Sequence, residues 1–280
     1  MKVYETGNIR NVVVMGHGGC GKTTLVEAIA YQTGITARMG KVTDGNTISD
    51  YDKEEQKRQF SISTSVVPVE FEDIKINFLD TPGYFDFVGE VEEACHAAGA
   101  AVIVINGKSG VEVGTLKAWE LCEKYKLPRL FFVTGMDDDQ ASYRKIVLEL
   151  NDRFGRKVAP FHVPIRENEK FVGFVNVVKM KGRRFINDTS EYEECDIPDY
   201  MDKHLNISRD ALVEAVADTS EELMERYFAG EEFTYEEVST ALRTHVMDCQ
   251  IVPVLVGSGV HNQGTSMLMN VIKKYFPSPE

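Results

Sequence analysis

The sequence predicts an α/β protein whose doubly wound, mostly parallel sheet is interrupted by an inserted α+β subdomain. Three observations predict it. Short apolar runs rich in β-branched residues alternate with segments that carry apolar stripes at helical spacing. A glycine-rich loop, Gly16-His17-Gly18-Gly19-Cys20-Gly21-Lys22-Thr23, joins the first such run to the first such segment. From about Val163 the alternation gives way to hairpin-like and acidic helical stretches, and it resumes at Ile251.

In chain order, Asn11 to Met15 (N-V-V-V-M) has the composition of a strand buried on both faces. After the loop, Leu25, Val26, Ala28 and Ile29 form a helical stripe. Gly34 to Phe60 lacks sustained periodicity and is rich in Gly, Asp, Lys, Glu and Arg; so long a loop in a compact domain is functional or mobile. Ser63 to Phe71 and Lys75 to Leu79 read as paired strands across Glu72-Asp73. Phe85 to Gly99 reads as a helix, with Val88, Val91 and Cys95 on one side. Ala101 to Ile105 reads as a buried strand, Leu116 to Lys124 as a helix and Arg129 to Val133 as a core strand. Phe131, Phe132 and Met136 are assigned to the core rather than to base stacking.

The interruption runs over residues 160–250, leaving 1–160 and 250–280 as the nucleotide-binding unit. Within it, Phe171 to Val178 with Lys181 to Phe185 suggests an antiparallel hairpin. Thr219-Ser220-Glu221-Glu222 and Thr234-Tyr235-Glu236-Glu237 both have capping-box form. Leu223 and Tyr227, then Val238, Leu242 and Val246, supply apolar faces. Ile251 to Val256 restores the parallel pattern, and a last helix ends near Tyr275. Pro277-Ser278-Pro279-Glu280 resembles the start of a linker to further domains.

The chain has 280 residues, 43% of them hydrophobic and 27% charged, enough for a substantial core. No apolar run approaches the ~18–20 residues that cross a bilayer, and the first residues lack a signal-peptide h-region. The five cysteines, Cys20, Cys95, Cys122, Cys195 and Cys249, are odd in number and contain no C-x-x-C pair. That pattern suits free thiols in a reducing cytoplasm. Cys20, beside a lysine and phosphate-binding amides, either carries a lowered pKa or simply packs. The net charge of -13 is concentrated: between Asp188 and Glu237 stand seventeen acidic residues against Lys203, Arg209 and Arg226. Such a surface does not hold DNA or RNA by backbone electrostatics.

The glycine loop fits G-x-x-x-x-G-K-[ST] between a strand and a helix, the context that a phosphate-binding loop requires. It makes the fold class a P-loop NTPase. Its glycines let backbone N–H groups close around phosphate oxygens, and the following helix aims its positive end at the same anion. Gly16 through Thr24 is therefore assigned to nucleotide binding. Within it Lys22 reaches the β- and γ-phosphates and the Thr23 hydroxyl holds Mg²⁺. His17 is either a polar group near phosphate or a packed one.

Later landmarks choose guanine. Asp80-Thr81-Pro82-Gly83 ends a strand, which puts Asp80 near the Mg²⁺ shell and the Gly83 N–H against the γ-phosphate. Asp137, in Thr134-Gly135-Met136-Asp137, can accept from the guanine N1–H and exocyclic amine. Ser258-Gly259-Val260 can offer a backbone donor to the guanine carbonyl.

These stretches resemble the GTPase domain of translational GTPases, above all elongation factor G and its divergent paralogues. The resemblance rests on G-H-G-G-C-G-K-T-T, D-T-P-G-Y-F-D-F-V-G-E-V-E from Asp80, F-V-x-V-V-K-M-K from Phe174, E-L-M-E-R-Y from Glu222 and I-V-P-V-L-V-G-S-G from Ile251. It covers essentially the whole chain. It implies GTP and GDP as ligands with Mg²⁺, action at the ribosome, and the ribosomal stalk protein as a partner of the acidic insert. Arg58-Gln59-Phe60-Ser61 falls where the family has R-G-I-T, so Ser61 would be a further Mg²⁺ ligand.

Three departures stand out. Gly19 replaces an aspartate, and Tyr84 replaces the histidine that the resemblance implies orders the attacking water. Tyrosine carries no positive charge near neutral pH, so hydrolysis is expected to be slow, with Tyr84, Lys22 and Gly83 as the catalytic set. Thr134-Gly135 replaces N-K: the threonine hydroxyl can tie this loop to the P-loop, and the missing lysine stem weakens affinity by roughly 1 kcal/mol. Two alternatives remain beside the ribosomal switch. One is a nucleotide-gated binding module with little turnover that docks a partner through the acidic insert, a face that mere solvated surface explains equally well. The other is an unrelated P-loop ATPase.

Overall fold

A computed structural model of the chain describes residues 2–186 and 189–280. Asp188, one end of the acidic segment, lies outside them. In chain order the first part contains β1 (Ile9–Gly16), α1 (Lys22–Gln32), α2 (Lys53–Arg58), β2 (Ser65–Phe71), β3 (Ile74–Asp80) and α3 (Val88–Ala97). It continues with β4 (Ala100–Asn106), α4 (Val113–Tyr125), β5 (Arg129–Thr134), α5 (Tyr143–Phe154) and β6 (Val158–Pro160). Then come β7 (His162–Glu167), β8 (Lys170–Asn176), β9 (Lys181–Phe185) and β10 (Tyr192–Cys195), followed by α6 (Asp202–Ala217), α7 (Glu221–Phe228) and α8 (Tyr235–Met247). β11 (Val252–Val256) and α9 (Thr265–Tyr275) return to the first sheet.

That sheet has seven strands in the order β2-β3-β1-β4-β5-β11-β6, parallel throughout except for the β2–β3 pair. The β1 run shows why it is central. Val12 and Val14 face one apolar cluster with α1 and α9, while Val13 and Met15 face another beneath α3 and α4. Both faces are buried, so the strand is apolar at every position instead of alternating. Each such side chain contributes ~1.5–3 kcal/mol on burial. The doubly wound parallel sheet and the β2–β3 hairpin match expectation.

The inserted part is larger than a hairpin. β10-β9-β8-β7 form a four-stranded antiparallel sheet, in which the expected pair, β8 and β9, is central. β6 and α5, which sequence periodicity did not single out, complete the main sheet and its cover. Val163, Val175, Leu212 and Leu242 of the insert share one cluster with Val12 and Ile29, so the two parts meet through a continuous core. The second capping box, Thr234 with Glu237, forms as read. The first is displaced by one residue: Ser220, not Thr219, caps α7 by accepting from the Leu223 N–H at 3.2 Å. No described helix is long and apolar enough to cross a membrane.

Candidate nucleotide-binding site

The parallel register brings the carboxyl ends of β1, β3, β5 and β11 to one edge, where ligands of open α/β sheets collect. Val14 of β1 lies level with Asp80 of β3, and the Thr81 hydroxyl donates to the Val14 carbonyl at 2.7 Å. The four loops singled out in the sequence therefore converge although they span more than two hundred residues.

On the phosphate side, β1 ends at Gly16 and α1 begins at Lys22 after Gly21, whose φ of 103° favours glycine. Lys22 is buried; its ammonium donates to the carbonyls of His17 at 2.9 Å and Gly16 at 3.2 Å, which holds it across the loop. Gly83 packs directly on this cradle. A Cβ there would strike the Lys22 ammonium and come within 2.7 Å of Gly18 Cα, so no larger residue fits without displacing the loop. The His17 ring docks on the first turn of α4: Nδ1 accepts from the Gly114 N–H at 3.2 Å and Nε2 lies 3.6 Å from Glu112. Of its two readings, the packed one describes the side chain. Cys20 is also buried, and burial pushes its thiol up despite Lys22 nearby. The lowered-pKa reading of Cys20 is thereby corrected; desolvation outweighs the cation.

On the metal side, the Thr23 and Ser61 hydroxyls are 3.1 Å apart. Asp80 is buried with its Oδ2 accepting from Ser49 at 2.8 Å, while Oδ1 has no partner among the described residues. Burial pushes the Asp80 carboxyl up to about 6, with the Ser49 hydrogen bond and Lys22 opposing. Two hydroxyls beside an orphaned carboxylate oxygen make a hard, oxygen-only set that fits Mg²⁺. Ser61 also donates to Asp50 at 2.7 Å, and burial raises the Asp50 carboxyl in turn.

Asp50 and Ser49 escaped sequence reading because they lie in the aperiodic 34–60 stretch. That stretch is ordered by local chemistry. Asp52 and Glu55 form a capping box on α2, and the buried Glu27 carboxylate accepts from the Gly40 and Ile48 N–H groups, each at 2.7 Å. The S-D-x-D pattern at 49–52 was the available signal.

Tyr84, 47% exposed, lies over the loop mouth with its ring against Gly18 and 4.6 Å, centroid to centroid, from Phe60. Lys22, Thr23, Asp50, Ser61 and Tyr84 line a common cavity of about 200 Å³.

On the base side, Thr134 differs from expectation. Its hydroxyl accepts from the Gly259 N–H at 3.2 Å, so it ties the two base-side loops together, while only its methyl faces Gly21 of the P-loop. Gly259 is consumed as a donor and packs on the Thr24 methyl, which leaves the Val260 N–H to offer a ligand. Gly135 takes a left-handed φ of 71°. Met136 is buried in the core, so its side chain cannot touch a base. Asp137 is exposed and its carboxylate lies 3.6 Å from His261 Nε2. Sequence reasoning passed over His261; its place three residues after Ser258 was the only cue. The Ser258 hydroxyl accepts from the His261 N–H at 3.3 Å and fixes that turn.

Comparison with known proteins agrees with this geometry. A crystal structure of a protein from Thermus thermophilus is similar at a TM-score of 0.89 and 36% identity, covering 98% of this chain. The chain spans 41% of that protein's length. The family described as elongation factor Tu GTP binding domain matches residues 7–278. That match takes in the phosphate loop, the hydroxyl pair and Asp137, and the chain belongs to the elongation factor Tu GTP-binding domain family.

Proposed function

We propose that this chain is the GTPase module of an elongation factor G-like protein, a slow conformational switch acting at the ribosome. Residues 1–160 and 250–280 form its nucleotide-binding unit and 160–250 its acidic insert. The placement of Tyr84 over the phosphate loop, with Gly83 packed on Lys22, carries this reading.

Thr23, Ser61 and Asp80 would hold Mg²⁺, which when bound neutralises charge on the β- and γ-phosphates. Lys22 and the Gly83 N–H receive the γ-phosphate, so loss of that group frees the loop at Gly83. The Tyr84 hydroxyl can orient a water by one hydrogen bond, but a neutral phenol adds no positive charge to the transition state. Asp137 and the Val260 N–H select guanine. The insert, through its carboxylates, is the surface offered to a ribosomal stalk protein.

The test is GTP turnover by the protein with and without 70S ribosomes, alongside GDP and GTP binding. Stimulated turnover supports a working translational switch. Tight binding with no stimulation overturns the hydrolytic part and leaves a nucleotide-gated binder. Full turnover retained in Tyr84→Phe would remove the tyrosine from the mechanism.

A further inference from the structure

A second cavity of about 490 Å³ opens at the seam between the insert and α9, apart from the nucleotide loops. Lys179 after β8, Arg183 on β9, Arg243 on α8 and both Lys273 and Lys274 on α9 line it, with Glu72 as the one lining carboxylate among the described residues. Such a wall is unexpected in a chain of net charge -13.

Two of these cations are neutralised nearby. Lys273 pairs with Glu72 at 2.6 Å and with Asp73, and Arg183 pairs with Glu194 at 2.8 Å. Lys179 and Arg243 make no ion pair among the described residues. The Lys274 ammonium donates to the Ser239 hydroxyl at 3.1 Å. Its pKa is lowered, first by burial, with the like charges of Arg243 and Lys179 pressing the same way and Tyr235 opposing.

The cavity wall also holds His162, 1% exposed, neither of whose ring nitrogens has a hydrogen-bond partner among the described residues. Arg183 Nε is likewise buried and unpartnered. Buried polar atoms without partners are uncommon and signal a missing one. The unpartnered Arg183 Nε–H needs an acceptor, and beside the unpaired Lys179 and Arg243 an anionic one is favoured over a neutral one.

We propose that this cavity binds a small multivalent phosphate anion of the polyphosphate class, bridging the insert to α9. Arg243 supplies a planar fork suited to phosphate oxygens and Lys179 and Lys274 supply point charges. The recess has the size of a small-molecule site. α9 is joined to the phosphate-loop helix, since Gln32 of α1 bonds to Thr265 and Ser266. An anion here therefore ties the insert to an element that follows the Ser258–Val260 loop.

Free tripolyphosphate and the triphosphate tail of a nucleotide share this chemistry. The protein is saturated with GDP in the presence of no more than equimolar Mg²⁺, and tripolyphosphate is titrated by calorimetry at constant salt, with the heat of the same titration into protein-free GDP and Mg²⁺ subtracted. One saturable site is expected, weakened at least tenfold in the Lys179→Gln/Arg243→Gln variant and retained in Lys22→Ala. GDP binding by the double variant confirms that it folds; should it not fold, Arg243→Gln alone serves the same comparison. ATP as titrant then separates the sources: comparable affinity assigns the site to the triphosphate group, and no ATP binding assigns it to free polyphosphate. Absence of saturable heat overturns the proposal. So does binding that vanishes in Lys22→Ala and survives in the double variant.

Discussion

The hydroxyls of Thr23 and Ser61 lie 3.1 Å apart although 38 residues separate them, so the start of α1 meets the segment after α2 at one point. Ser61 is held there by a second bond, to Asp50 at 2.7 Å. Removing the hydroxyl in Ser61→Ala should lower GTP affinity in Mg²⁺ by about fivefold to tenfold, the ~1–1.4 kcal/mol of one lost contact, and leave GDP affinity near wild type. Fluorescent-nucleotide titrations with and without Mg²⁺ check it; equal losses for both nucleotides would show a purely structural role.

Replacing Tyr84 tests the missing charge. Tyr84→His restores a group that can be cationic near neutral pH, and it should raise ribosome-stimulated turnover by about 10²-fold, the scale of one positioned acid–base group. Single-turnover phosphate release at saturating GTP measures the effect. No increase would mean that the site around Phe60 and Gly18 cannot orient the imidazole.

Guanine selection should depend on Asp137 far more than on its neighbour. Asp137→Asn puts an amide donor against the base's own donors, and GTP affinity should fall by about 10²-fold or more. His261→Ala removes only a half-exposed partner 3.6 Å from that carboxylate and should cost severalfold, within ~1 kcal/mol. Competition between GTP, ATP and XTP on both variants reports the ranking.

His162 predicts an acid-labile core. Burial lowers its pKa from 6.5 to about 3, so the folded protein excludes a proton that the unfolded chain accepts. This term is fully stabilising above pH 6.5 and is lost as pH falls from there toward 3, at about 1.4 kcal/mol per pH unit. Urea unfolding of wild type at pH 7 and pH 5 should differ more than for His162→Leu, whose side chain does not titrate. An unchanged slope in the variant would place the acid sensitivity elsewhere.

Local patterns made the frame legible. Apolar runs such as Val12-Val13-Val14 and Phe131-Phe132 need burial on both faces, and only central parallel strands supply it. Gly16 through Thr23 and Asp80 through Gly83 were readable because backbone approach to phosphate restricts residue type over a few positions. The Thr234 cap was readable for the same reason, while Ser220 was missed by one residue because both Thr219 and Ser220 can cap.

The sequence by itself determined the alternation of strands and helices, the phosphate loop and the aspartates at strand ends, since each depends on residues adjacent in the chain. Tertiary structure alone decided that Asp50 receives Ser61, that Thr134 bonds Gly259, that His261 faces Asp137 and that five cations line one seam. Those contacts join segments whose separation in sequence carries no periodic signal. Sheet register and the continuous core between insert and sheet set their distances, and no local rule specifies either.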